Sequence, residues 1–316
     1  MKLYDEAEKI SLLGLEVYRF GFFVMLGMAA AALVIGLLCW AKRTRKGTAP
    51  LLLLLSVLLG GLFSRLCFCL LTQELGALMP LGSWLNLAGG GWSMMGLVGG
   101  VLLAAWLTAR LTRQKPGMLW DISACALPVF MAMERAGEEC VPEFDYSRTL
   151  MSSFLNGTFL AFEEADGFHL ATWRLAAIVM LVLFLVLVWD LIRSPRHGNT
   201  CLLFLLLFGA GSVLLESLRY DRFLSITFVG LQHVMAALYL ASGVLILAAR
   251  AGKRQRKLAW AAGISVFAAA GIAIGLEFAL DRTGIHALLL YAVYAAVMAV
   301  PVVLSCLLRA RETQPV

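Results

Sequence analysis

The chain has 316 residues, of which 61% are hydrophobic and 15% charged, with a formal net charge of +6. Soluble domains carry about 45–50% apolar and about 25% charged residues, so this composition excludes an ordinary soluble globule. The basic balance does not point to nucleic acid, because the Lys and Arg residues sit in short runs between apolar stretches.

A spanning helix needs about 20 mostly apolar residues. Nine stretches meet that need, at about 17–40, 51–72, 93–111, 118–134, 174–192, 199–218, 227–249, 258–279 and 284–308. The expected fold is therefore all-α, a polytopic membrane helical bundle, since helices satisfy their own backbone hydrogen bonds in lipid. The short alternating segments of a β-barrel are absent from the sequence. Before the first span, "MKLYDEAEKI" carries mixed charge and no small-residue cleavage site follows, so no cleavable signal peptide is expected.

Basic residues then fall at every second junction. Lys42, Arg43, Arg45 and Lys46 follow the first span, Arg110, Arg113 and Lys115 the third, and Arg193 and Arg196 the fifth. Arg250, Lys253, Arg254, Arg256 and Lys257 follow the seventh, and Arg309 and Arg311 the ninth. By the positive-inside rule these junctions and the C-terminus are cytoplasmic and the N-terminus is outside. The longest external junction, about 135–173, is acidic and is expected to form a small outward-facing cap.

In the second span, Arg65 lies within "LLGGLFSRLCFCLL". The third opens on "LAGGGWSMMGLVGG", whose glycines serve either close approach to a ligand or close helix packing. The fourth ends at "MERAGEECVPEF", with Arg135 at its outer boundary and Glu138 and Glu143 after it. The sixth ends at "GSVLLESLRYDRF", where a spacing of three puts Glu216 and Arg219 on one helix face. Ionisable residues in spans are costly and suggest function, although an arginine near a helix end also snorkels or pairs structurally. Topology brings these charges to one depth, the outer boundary, where a phospholipid headgroup lies. The seven cysteines form no disulfide framework: all but Cys140 lie in or beside apolar stretches, and the pair Cys67 and Cys69 does not suit zinc. No metal or cofactor is expected, and the sequence carries no signal for an oligomeric state.

These segments, in order, resemble the prolipoprotein diacylglyceryl transferase family. "GLEVYRFGFFVMLG" is similar to its first span, with Arg19 and Gly21 in place. "GGLFSRL" is similar to its Gly-x-x-x-Gly-Ala-Arg-Leu segment, with Arg65 as the arginine. "GGWSMMG" resembles Gly-Gly-Met-Ser-Phe-His-Gly. "DISACALPVFMAMERAGEECVPE" resembles the run ending in Gly-Arg-x-Gly-Asn and a following glutamate. "FGAGSVLLESLRYD" resembles Tyr-Gly-x-x-Arg-x-x-x-Glu-x-x-Arg-x-x-Asp, matching Gly209, Glu216 and Arg219, and Gln232 fits beyond it. The resemblance implies a seven-helix core over residues 1–249, including the cap, with two additional helices over 250–316. It implies transfer of a diacylglyceryl group from phosphatidylglycerol, or a related anionic phospholipid, to a cysteine thiol of a lipoprotein precursor at the bacterial plasma membrane.

By the same resemblance Arg135 and Arg65 bind the phospholipid, Gly137 lets the chain turn tightly out of the helix, and Glu143, Glu216 and Arg219 carry the chemistry. An arginine suits a phosphate because its planar fork makes paired charge-assisted hydrogen bonds. Three family positions are altered. The family's histidine, its proposed base, falls on Met95, its asparagine on Glu138, and the first arginine of the sixth-span motif on Ser212. A thioether takes no proton. The alternative is therefore a catalytically degenerate relative that binds phospholipid or lipoprotein without transfer. On the transferase reading, the external turn holding Arg282 and His286 is one place from which the lost groups would be supplied.

Overall fold

A computed structural model describes residues 9–12, 15–71, 91–138, 155–164, 167–194, 196–219, 225–226, 229–283 and 286–312. Among them are nine helices long and apolar enough to cross a membrane, so the chain is an all-α, multi-pass membrane protein. The helices are α1 (Arg19–Ala41), α2 (Thr48–Leu71), α3 (Met94–Thr112), α4 (Pro116–Gly137), α5 (Thr172–Arg193), α6 (Asn199–Ser217), α7 (Leu231–Arg250), α8 (Arg256–Arg282) and α9 (Ala287–Glu312). They divide into two compact units, one of residues 1–147 with 171–201 and one of residues 148–170 with 202–316.

The first unit holds α1 to α5. A two-stranded antiparallel hairpin, β1 (Lys9–Leu12) with β2 (Leu15–Tyr18), leads into α1. Its helices meet in a core of Ile35 and Cys39 from α1, Leu52 from α2, Ala105 and Ala109 from α3, and Leu119, Ile122 and Ala126 from α4. Helix α4 is buried along most of its length, from Asp121 to Val129 without a break. A helix apolar nearly all round belongs inside a bundle, and α4 packs on α1, α3 and α5. Small residues set these approaches: a Cβ on Gly96 would lie 2.3 Å from the Phe63 carbonyl oxygen, and one on Gly100 would lie 2.3 Å from that of Leu59. For these two glycines, the packing reading is the one the structure bears out.

The basic junctions of this unit meet at one end of the bundle. Arg45 donates to the Thr112 carbonyl at 3.1 Å, Lys42 to that of Leu191 at 3.3 Å, and Gln114 to the Thr48 hydroxyl. Here too Asp121 accepts from the backbone N–H of Gly198 at 2.6 Å and of Cys201 at 2.8 Å. The carboxylate thus satisfies orphan donors at the start of α6, where the helix dipole also favours negative charge.

The second unit holds α6, beyond its first turn, with α7, α8 and α9. It also holds two antiparallel hairpins, β3 (Ala161–Glu164) with β4 (Gly167–Leu170) and β5 (Ser225–Ile226) with β6 (Val229–Gly230). The first hairpin belongs to the expected cap segment. Phe204 and Phe208 stack at 5.0 Å, and Tyr239 of α7 lies 5.9 Å from Phe208. A Cβ on Gly209 would lie 2.5 Å from the Leu240 backbone nitrogen, so α6 and α7 approach backbone to backbone. The Tyr291 hydroxyl of α9 donates to the Ser217 carbonyl at the end of α6, at 3.0 Å.

Candidate functional site

In the first unit, Arg135 stands in the last turn of α4, where the helix dipole favours a cation. Its Nη1 donates to the Glu138 carboxylate, and its Nε lies 3.7 Å from that of Glu134. The side chains of Arg135 and Glu138 are only 13% and 5% exposed, so this is a largely buried ion pair. The guanidinium offers five N–H donors in a fixed fork, of which Glu138 occupies one edge. An anion arriving at Arg135 therefore shares the fork with Glu138 or displaces it.

Gly137 ends α4, but not as a turn-maker. It lies within the helix, outside the left-handed region, and a Cβ there would come 2.8 Å from Cβ of Phe23 and 3.2 Å from the Phe20 ring. What Gly137 permits is close packing of α4 on α1, and the chain beyond Glu138 lies outside the described residues. Glu143 lies outside the described residues.

Arg65 is buried near the end of α2, at 7% exposure. Its guanidinium donates to the Gly91 carbonyl at 3.0 Å and lies 5.6 Å from the Phe68 ring centre. Gly91 has a φ of +81°, and a Cβ there would lie 2.2 Å from the Phe68 ring, so only glycine fits. Ser64 also donates to the Ser93 carbonyl at 2.8 Å, while Ser93 caps the start of α3 through Gly96. Arg65 and Ser64 thus fix the segment that delivers Met95, which is buried at 3% exposure. Whatever else Arg65 does, part of its hydrogen-bonding capacity holds this loop.

In the second unit, Glu216 is 9% exposed and Ser212 4% exposed, both on α6. With its amide oriented as hydrogen bonding requires, Gln232 of α7 donates to both Glu216 carboxylate oxygens at 2.9 Å. Arg219 departs from the expected arrangement. Helix α6 ends at Ser217, so Arg219 lies past the helix rather than one turn along its face. Its backbone N–H closes a turn on the Glu216 carbonyl at 3.2 Å.

One constellation in this unit escapes the sequence reading. His233 is 6% exposed and Glu277 1% exposed, and His233 Nε2 lies 3.4 Å from Glu277 Oε1. The pair links α7 to α8. The cheap signal was an ionisable residue inside an apolar run, "GLQHVMAAL" and "IGLEFALDR". By contrast, Arg282 and His286, the residues expected to replace lost groups, are both exposed. Among the described residues no group of three or more His, Cys, Asp and Glu side chains has the geometry of a metal site.

A family model described as prolipoprotein diacylglyceryl transferase matches residues 8–249, well over half of the chain. No curated protein matches it significantly.

Proposed function

Because the chain belongs to the prolipoprotein diacylglyceryl transferase family, we propose that it transfers a diacylglyceryl group from phosphatidylglycerol to a cysteine thiol of a lipoprotein precursor. On this reading it works in the bacterial plasma membrane, and residues 250–316 are an addition to a seven-helix core.

The observation that carries the proposal is Arg135 in its setting. A guanidinium that is 13% exposed at the end of a buried helix is a costly placement in lipid, and a phosphate is the partner its fork suits. Arg65 supports the same reading indirectly, by fixing the loop at the start of α3. Glu216, held by Gln232, and Arg219 are the acidic and cationic groups proposed from the second unit; Glu143 is proposed to orient Arg135 or the glycerol hydroxyls.

Chemically, a thiol displaces glycerol phosphate at a glycerol carbon. The thiol has an ordinary pKa near 8.5, so a proton acceptor or a positive field assists it. The leaving phosphate gains negative charge, and donors fixed before the reaction stabilise it.

Two observations favour the second reading, in which the chain binds lipid or lipoprotein without transfer. Met95 offers no proton acceptor where the family has histidine, and Glu138 sets a carboxylate against the very cation proposed for phosphate. Rescue separates the two. A bacterium depleted of its own transferase regains growth when this chain is expressed, if it transfers. Normal membrane insertion without growth overturns the enzymatic reading.

A further inference from the structure

Cations clustered on the cytoplasmic side of a membrane helix draw anionic lipid headgroups. Residues 250–257, "RAGKRQRK", hold five cations and no acid in the junction between α7 and α8. Arg250 closes α7, Lys253–Gln255 forms a single turn of 3-10 helix, and Arg256 opens α8. By the charge alternation this junction is cytoplasmic. Among the described residues none of the five side chains makes a hydrogen bond or an ion pair. The cytoplasmic junctions of the first unit differ, since Lys42 and Arg45 there donate to carbonyl oxygens.

Beside these cations lies a groove of about 650 Å³, the size of a ligand site. It is lined by α7 and α8, which pack on each other within the second unit. Small residues leave it room: Ala248 and Ala249 of α7, Ala259 and Gly263 of α8. A Cβ on Gly263 would meet nothing within 4 Å. Trp260, Ile264 and Phe267 of α8 also line it and are 61%, 62% and 68% exposed. Of its lining residues only Lys253 and Arg256 are charged, and both stand at the cytoplasmic end. Arg256 and Phe267 are separated by about 17 Å along the helix axis, at about 1.5 Å per residue. One leaflet's hydrocarbon is about 15 Å deep, half of a core of about 30 Å. The groove therefore runs from headgroup level to the middle of the bilayer. Trp260, one turn inside Arg256, sits at the depth where indoles anchor to the interface. Its occupant must be anionic at one end and apolar for a leaflet's depth. A free phosphate lacks the apolar length, and an acidic water-soluble peptide would leave Phe267 uncovered.

We propose that this groove binds an anionic phospholipid of the cytoplasmic leaflet, with its phosphate on Lys253 and Arg256 and an acyl chain along Trp260, Ile264 and Phe267. The Arg256 fork holds phosphate oxygens in pairs, and Lys253 adds a point charge. Lys253, Arg256 and the α8 residues all lie beyond the family match, which ends at residue 249. The site therefore belongs to the added helices and faces the opposite leaflet from Arg135. It does not rest on the transferase reading.

The test uses the full chain in vesicles that mix phosphatidylglycerol with phosphatidylcholine, one of the two brominated in its acyl chains. Bromine quenches tryptophan on contact, and the share of Trp260 is the difference between the wild type and Trp260→Phe. That share gives the relative affinity of the two lipids at the groove. Phosphatidylglycerol is expected to be preferred by about 30-fold, the span of two cations beside an anionic headgroup. The double variant Lys253→Gln, Arg256→Gln is expected to lose this preference. Gly263→Leu is expected to lose it too, because the groove is filled while the cations remain; the space at Gly263 and the helix propensity of Leu let that variant fold. Equal quenching by both lipids in the wild type makes the groove ordinary bilayer contact and overturns the site. A preference that survives the double variant overturns the assignment of the phosphate. A preference lost there but kept in Gly263→Leu is attraction to the charged surface alone and overturns the groove. No quenching of Trp260 by either lipid means that another occupant, such as a second copy of the chain, covers it, and overturns the proposal as well.

Discussion

Replacing Glu138 by Gln is expected to tighten phosphatidylglycerol binding. Gln keeps the side chain's volume but removes the charge that faces Arg135. In the wild type one edge of the guanidinium is committed to the Glu138 carboxylate, and both side chains are almost fully out of solvent. A hydrogen bond to a charged group contributes about 1.5–3 kcal/mol net. At about 1.4 kcal/mol per tenfold, freeing that edge for a lipid phosphate corresponds to roughly a 10- to 100-fold gain in affinity. The lipid-free protein moves in the opposite direction. Removing one partner of a buried ion pair costs about 3–5 kcal/mol when the other charge is stranded. Glu134, 3.7 Å away, and the carbonyl oxygen of the introduced amide keep the loss below that range. Thermal melts in detergent should therefore fall without lipid and recover on adding phosphatidylglycerol, while an uncharged diacylglycerol restores nothing. An unchanged or weaker affinity for phosphatidylglycerol would refute the assignment of Arg135 to the phosphate.

Four further outcomes are expected. Arg135→Lys should bind phosphatidylglycerol more weakly than wild type, and Arg135→Ala weaker still, because a point charge does not reproduce the planar fork; lipid-binding isotherms check the order. Gly96→Ala should lower the melting temperature in detergent, since its Cβ would press on the Phe63 carbonyl; overpacking of this kind costs about 1–3 kcal/mol. Asp121→Ala should destabilise by about 1–3 kcal/mol per stranded N–H at the start of α6, read by the same melts. His197, in the turn between α5 and α6, is held below its ordinary value of 6.5 by burial first and then by Lys115 and Lys42. Its neutral form is favoured in the folded state, so stability present above pH 6.5 is lost as pH falls through the folded value. The effect is small because the side chain is exposed, and His197→Gln should flatten that slope in melts between about pH 7 and pH 5.

The bundle was legible because lipid imposes length and polarity on every span, so apolar runs alone mark the helices. The junctions after the first and third spans also carry contacts: Arg45, Lys42 and Gln114 meet at one end of the first unit. Helix ends were less legible. Charged residues extend α8 to Arg282 and α9 to Glu312 beyond the apolar runs, whereas α6 stops before Arg219. Side-chain partnerships were the least legible, because they join residues whose separation carries no period. Glu138 lies three residues from Arg135, close enough to have been suspected. His233 and Glu277 are 44 residues apart, and only the packing of α7 on α8 brings them together. Gly137 shows the converse. A glycine at a helix end suggests a turn, yet here it admits the Phe20 and Phe23 side chains.

The most direct measurement is the mass of a cysteine-bearing precursor peptide after incubation with the purified chain and phosphatidylglycerol. The account predicts a gain of one diacylglyceryl group on the cysteine sulfur, released glycerol phosphate in equal amount, and neither product when the cysteine is replaced by serine. An unmodified peptide, from protein that is folded and binds the lipid, would contradict it.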